Sequence, residues 1–128
     1  MKDPAFVSRE VVLEIHRASL ERYGGIDGLR DSGLLDSALM QPEATHYYGQ
    51  GDLAAIAAAY AFHIAQNQPF LDGNKRAAMG SALLFLKANG IDVDKFDEVQ
   101  LYDAMIAIAE KRLDKAGLAD VFRSQLSS

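Results

Sequence analysis

The sequence predicts an all-α, single-domain bundle of about six helices, with two buried antiparallel helices at its centre. Apolar residues recur at helical spacing along nearly the whole chain. Cap and stop residues bound each run. Two consecutive runs are alanine-rich and apolar almost all round, the mark of helices enclosed by others. With 128 residues, 49% of them hydrophobic, the chain suffices for one core and is short for two.

In the first run Val7, Val11, Ile15 and Ala18 keep helical spacing. Ser8 is placed to cap its start and Gly24-Gly25 to end it. A second helix fits 32–40 on the stripe Leu34, Leu35, Ala38 and Leu39, and Pro42 is expected to stop it. Segment 42–51 then reads as a loop, with Gly49 and Gly51 beside the mixed segment His46-Tyr47-Tyr48. Leu53, Ile56, Ala57, Tyr60 and Ile64 line one face of the third helix, and alanine fills most of the rest. The fourth covers 75–88 and stops at Asn89-Gly90. Small side chains let two backbones approach closely, so these two helices take the centre, joined through 67–74. Asp97 with Gln100 has the form of a capping box, opening a fifth helix that carries Leu101, Ala104, Met105 and Ile108. Leu118, Val121 and Phe122 mark a short sixth, and Ile91-Asp92-Val93 is too brief for a strand.

Composition narrows the function. The chain has no cysteine, which excludes disulfides and thiolate chemistry. Its N-terminal stretch lacks the apolar region of a secretory signal. The apolar run 53–65 is interrupted by His63 and is short for a membrane span. A cytoplasmic location without membrane contact is the expectation. Thirteen Lys and Arg against eighteen Asp and Glu leave a net charge of −5, which argues against a general nucleic-acid surface. One local basic site remains compatible with that balance, and the chain contains one.

It lies between the two central helices, in Gln68-Pro69-Phe70-Leu71-Asp72-Gly73-Asn74-Lys75-Arg76. Gly73 permits a sharp turn. Asn74 is a good N-cap, so the loop feeds directly into a helix N-terminus, whose open N–H groups and dipole attract anions. Lys75 and Arg76 add two cations, and Asp72 a carboxylate suited to Mg²⁺ between phosphate oxygens. Together they suit a metal-bound polyphosphate. The plainer reading is a turn followed by a solvated helix start, but idle charges next to buried helices are costly. The spacing is not a Walker A loop, and neither a His-Glu-x-x-His zinc pattern nor a Gly-x-Ser-x-Gly elbow occurs.

With AAYAFHIAQN before it and AAMGSALLFLKANG after it, this segment resembles the signature of the Fic/Doc family. That motif runs His-x-Phe-x-Asp/Glu-Gly/Ala-Asn, then Gly or Lys, then Arg. Phe70, Asp72, Gly73, Asn74, Lys75 and Arg76 match it. The resemblance extends to Arg22-Tyr23-Gly24-Gly25 and to 32–42, and so covers most of the chain. It implies that Asp72 binds Mg²⁺ held by the phosphates of ATP. It implies further that Gly73, Asn74, Lys75 and Arg76 cradle those phosphates, that Phe70 anchors the loop, and that 42–51 is a flap aligning the target polypeptide.

Departures from the pattern sort the subfamily. Adenylyl-transferring relatives carry glycine at the position of Lys75 and a second arginine at that of Met79. The chain therefore resembles the short Doc toxins, which implies transfer of the γ-phosphate of ATP to a threonine of elongation factor Tu, blocking translation. No Ser/Thr-x-x-x-Glu-Gly/Asn inhibitory motif occurs here. A Phd-like antitoxin, whose disordered tail folds into a groove on the toxin, is the implied restraint.

The motif histidine, the base that takes the target hydroxyl's proton, falls on Gln68. A glutamine amide can hydrogen-bond but cannot accept a proton near neutral pH. A weakened or inactive enzyme is the expectation, with a non-catalytic nucleotide- or antitoxin-binding protein and an adenylyltransferase as alternatives. A natural homologue turned binding protein, or an attenuating substitution of either natural or introduced origin, would each account for the glutamine. His63 is expected to bond locally on its helix rather than to replace the base, and His16 to be a packing or surface residue. His46, Tyr47 and Tyr48 read as flap contacts or as solvated or packing residues.

Overall fold

The computed structural model describes residues 3–126. Six α-helices follow one another: α1 (Arg9–Tyr23), α2 (Ser32–Tyr47), α3 (Leu53–Asn67), α4 (Asn74–Ala88), α5 (Glu98–Ala109) and α6 (Lys115–Leu126). A short 3-10 turn, Val93–Lys95, precedes α5. No strand occurs among the described residues, only an isolated bridge between Leu29 and Phe70. The all-α fold expected from the sequence is the one observed.

Helices α3 and α4 form the centre. Alanines supply much of their buried surface: Ala54, Ala57, Ala58, Ala59 and Ala61 on α3, and Ala77, Ala78 and Ala82 on α4. Helix α2 and helix α6 cover α3, and α1 covers α4. Ile56, Tyr60, Ile64, Phe85 and Leu86 fill the space between, closed at the edges by Leu35, Ile108, Leu118 and Phe122.

Local chemistry explains most of the boundaries. Ser8 accepts the Val11 N–H at 3.2 Å, and Gly24, at φ 80°, ends α1. The buried face of α1 is Val12, His16 and Leu20, displaced from the expected stripe of Val11, Ile15 and Ala18. The displacement accompanies the burial of His16, whose ring stacks on Phe70 and bonds the Asp72 carbonyl through Nε2. Asp52 caps α3 through the Ala55 N–H at 2.9 Å, and its carboxylate also takes Arg123 of α6. At α5 the capping box is half right. Asp97 accepts from the Val99 and Gln100 N–H groups, but the Asp97 N–H donates to Gln125 Oε1 on α6, at 2.9 Å. Gln100 bonds the side chain of Gln125 instead of reaching back.

Pro42 does not stop α2, and most of the expected loop 42–51 is helix. The helix runs through it to Tyr47, leaving only 48–51 as loop. A proline inside a helix forfeits a hydrogen bond and costs about 3 kcal/mol or more. Pro42 offsets this by continuing the buried stripe of Leu35 and Ala38. The C-terminal turn of α2 is then held from outside: His46 Nε2 lies 3.0 Å from Asp3 Oδ1, and the Tyr47 hydroxyl donates to Asp3 Oδ2 at 3.0 Å. Both side chains are thus tied to the N-terminal segment rather than presented in a loop.

That N-terminal segment is gripped by side chains at two further points. Asn89 bonds both backbone groups of Ala5, and the buried Tyr60 hydroxyl accepts the Val7 N–H at 2.8 Å while donating to the Val7 carbonyl at 3.2 Å. Burial pushes the Tyr60 phenol up to about 12. Replacing Tyr60 by Phe keeps the ring but strands two buried backbone groups. Urea denaturation should show a loss of about 1–3 kcal/mol, and an unchanged midpoint would refute the clamp.

Candidate active site

Residues 68–73 connect α3 to α4 and carry the motif. Gln68 is the C-cap of α3 and adopts the left-handed conformation, φ 47° and ψ 58°. For a residue with a Cβ this costs roughly 1–2 kcal/mol, so the surroundings must hold it. They do so through 28–31. Arg30 Nε donates to the Gln68 carbonyl at 2.8 Å and Arg30 Nη2 to the Asn67 carbonyl at 2.9 Å. The backbone N–H groups of Arg30 and Asp31 both donate to the Pro69 carbonyl, and that of Leu71 donates to Gly28.

Phe70 is the anchor. It is buried, and its ring stacks on His16 at 3.7 Å with the planes 7° apart. His16 Nε2 donates to the Asp72 carbonyl at 2.7 Å, the only role that a carbonyl partner leaves it. A buried histidine thereby grips the loop twice.

Asn74 is not the N-cap. Gly73 holds that place at φ 78°, and no side chain caps α4. The Asn74 amide instead closes on Phe70, with Oδ1 accepting the Phe70 N–H at 2.9 Å and Nδ2 donating to the Phe70 carbonyl at 3.0 Å. Its role is to shape the loop. The first N–H groups of α4 consequently keep their capacity for an outside anion.

Asp72 faces that end. One carboxylate oxygen accepts the Ile26 N–H at 3.2 Å and the other the Gly73 N–H at 2.8 Å. These N–H groups, Ile26 first, hold the carboxyl below the usual carboxylate range, and Arg76 and His16 add to the effect. Lys75 and Arg76 are exposed at the same helix start. Arg76 Nη2 donates to the Gly24 carbonyl at 3.0 Å and its guanidinium lies over the Tyr23 ring. Lys75 has no hydrogen-bond or ion-pair partner among the described residues. The Gln68 side chain is exposed and likewise unpartnered there.

Two glycines allow the approach of 24–28 to the motif. A Cβ on Gly25 would lie 2.8 Å from Asp72 Oδ2, and one on Gly28 would lie 2.6 Å from Leu71 Cδ1. Both have positive φ as well.

These residues suit a metal-bound polyphosphate. The described residues hold no group of three or more His, Cys, Asp or Glu side chains arranged as a metal site. A cation at Asp72 would therefore draw its remaining ligands from phosphate and water, the manner of Mg²⁺. The site is a shelf of backbone and charge. Clefts of about 480 Å³ beside Phe62 and Leu113 and about 360 Å³ beside Phe6 and Leu39 include no motif residue.

His63 stands apart from this shelf. Its partner is not local: Lys115 of α6 donates to His63 Nε2 at 3.1 Å. Burial first, and Lys115 second, push the imidazole down to about 4. Arg30 and His16 were missed as loop-holding residues, because an arginine in a turn and a histidine in an amphipathic helix carry no local signal of such a task.

A helical bundle whose two central helices are joined by this motif turn defines the class of the molecule. The chain matches the Fic/DOC family across residues 6–86, and it belongs to that family. It is similar to "Protein kinase doc" of Escherichia phage P1, at 35% identity over 118 residues that span 91% of this chain and 92% of that one. It is also similar to "Toxin Doc" of Mycolicibacterium smegmatis, at 36% identity over 118 residues, 89% and 88% of the two chains.

The low-lying His63 makes stability depend on pH. Its folded value, about 4, lies below the ordinary 6.5, so the unfolded chain takes up a proton first as pH falls. Stability is unaffected by this group above pH 6.5 and declines between 6.5 and 4. The group is half-exposed, so the loss is about 1–2 kcal/mol rather than the full linkage value. Melting curves of wild type and His63→Gln across that window should converge toward acid pH, and parallel curves would disprove the assignment.

Proposed function

We propose that this chain is a Doc-like toxin of a type II toxin–antitoxin pair. Its lineage is one of ATP-dependent protein kinases that modify a threonine of elongation factor Tu and so block translation, and Gln68 attenuates it. One observation carries the reading: an uncapped α4 N-terminus carries two exposed cationic residues at its start, beside a carboxylate preset by two N–H groups. The names of the two relatives, a protein kinase and a toxin, agree with it.

In this reading Asp72 holds Mg²⁺, and the α4 N–H groups with Lys75 and Arg76 hold the phosphates. Bound Mg·ATP supplies the phosphoryl group and part of the charge neutralisation that its transfer needs. Asn74 contributes indirectly, by fixing the loop through Phe70. Gln68 occupies the base position and can only hydrogen-bond the target hydroxyl. Loss of a general base costs a factor of about a hundred to ten thousand. The unpartnered Gln68 amide also has no charged neighbour bonded to it that could take over proton removal.

The flap assigned to 42–51 contracts, for target alignment, to 48–51 with the preceding helical turn, where Tyr48 is exposed. A Phd-like antitoxin and a cytoplasmic setting complete the proposal. No helix of the described residues is long and apolar enough to cross a membrane.

A second reading is favoured by the independence of the phosphate shelf from residue 68: a protein that still binds nucleotide or antitoxin but performs no chemistry. Adenylyl transfer is disfavoured by Lys75 and Met79. Wild type, Gln68→His and Gln68→His/Asp72→Ala should be incubated with elongation factor Tu and Mg·ATP. We expect a gain of at least about a hundredfold from the histidine, abolished by removing Asp72, with mass spectrometry showing added phosphate rather than AMP. Failure of the histidine variant beside an active protein kinase doc control would reject the kinase reading and leave the binding one.

A further inference from the structure

We infer that Arg30 is the positioning residue that aims residue 68 at its target, an inference resting on the kinase reading above. Three successive carbonyls, those of Asn67, Gln68 and Pro69, leave the end of α3 together. Arg30 collects all of them: its guanidinium takes the first two at 2.9 and 2.8 Å, and its own backbone N–H takes the third at 2.7 Å. The Asp31 N–H adds a second bond to Pro69. Residue 68 is left-handed, an unfavourable state for a side chain of this type, and its own side chain makes no bond that would keep it there. The backbone is therefore held from outside, and the fork of Arg30 is the group bonded to its carbonyl.

The geometry suits arginine in particular. Two neighbouring carbonyls require two donors at fixed separation, which a planar guanidinium presents and an ammonium does not. The cation also sits at the negative end of the α3 dipole. Because the Cα–Cβ direction of residue 68 follows from its φ and ψ, these bonds decide where the base-position side chain points. Arg30 need touch neither nucleotide nor target to do so. Its side chain is exposed and lies outside the apolar core, so its removal should disturb aim far more than stability.

The experiment has two arms. In the Gln68→His background, Arg30→Ala should lower kcat by about ten- to a hundredfold, the scale of a misplaced catalytic group. The KM for ATP should stay within about twofold and the melting temperature should hardly move, whereas Arg30→Lys should recover little of the lost rate. A raised KM with kcat intact would overturn the inference, because Arg30 would then be a nucleotide contact. Independently of activity, the ¹³Cα and ¹³C′ NMR shifts of residue 68 in otherwise wild-type protein report its backbone. They should leave left-handed values in Arg30→Ala and keep them in wild type. Unchanged shifts overturn the inference even if kcat falls. If Gln68→His transfers nothing, the kinase reading fails by itself, and the NMR arm still decides whether Arg30 holds residue 68.

Discussion

The close approach of α3 and α4 is the constraint from which the rest of the molecule follows. Alanine on both helices removes the bulk that ordinarily separates helix axes, and the two backbones pack with almost nothing exposed between them. A connection of six residues, 68–73, has to turn the chain at one end of this pair. So short a connection beside a tight core cannot wander. It reverses with left-handed residues at Gln68 and Gly73. The turn therefore ends with an uncapped helix start pointing away from the core, where phosphate can reach it.

Around this turn the polar groups divide into those spent on shape and those left for a ligand. Asn74 satisfies both backbone groups of Phe70, His16 satisfies the Asp72 carbonyl, and Arg30 satisfies the end of α3. Lys75 and the Gln68 amide make no bonds among the described residues, and Asp72 uses only one N–H on each oxygen. The division matters for interpreting substitutions. Changing Asn74 would let the loop relax, whereas changing Lys75 would alter charge at the shelf and little else. Asp72 belongs to both groups, because its backbone is a structural acceptor while its side chain is aimed outward by Ile26 and Gly73.

Most of the architecture was legible because it depends on periodicity. The buried sets Leu35 and Ala38, Ile56 and Ile64, Leu101 to Ile108, and Leu118 and Phe122 all follow from helical spacing of apolar side chains. Errors arose where tertiary contacts overrode a local rule. Pro42 ends helices in general, yet here its buried ring continues a packing stripe. Asn74 is a favoured N-cap, but a partner four residues back proved to be its acceptor and donor. Val11 and Ile15 fit the expected stripe of α1, yet they pack only partly buried beside Val12, Leu20 and a His16 that stacks on Phe70. The motif itself was readable from residue types, and the family match over residues 6–86 includes it. The scaffold that holds it was not, since Arg30 meets Gln68 across thirty-eight positions of sequence.

The same scaffold explains how glutamine can stand at residue 68 without cost to the fold. All of the bonds that retain this residue use its backbone: its N–H donates to Ile64 and its carbonyl accepts from Arg30. Its side chain is exposed and contributes nothing to the core. Histidine is several-fold enriched in the left-handed conformation over most side chains, a preference worth less than about 1 kcal/mol. Exchange between glutamine and histidine is then nearly neutral for stability, while it changes the chemistry wholly, from a group that can accept a proton to one that cannot. Fold and activity are uncoupled at this position because structure holds the main chain and function would require only the side chain.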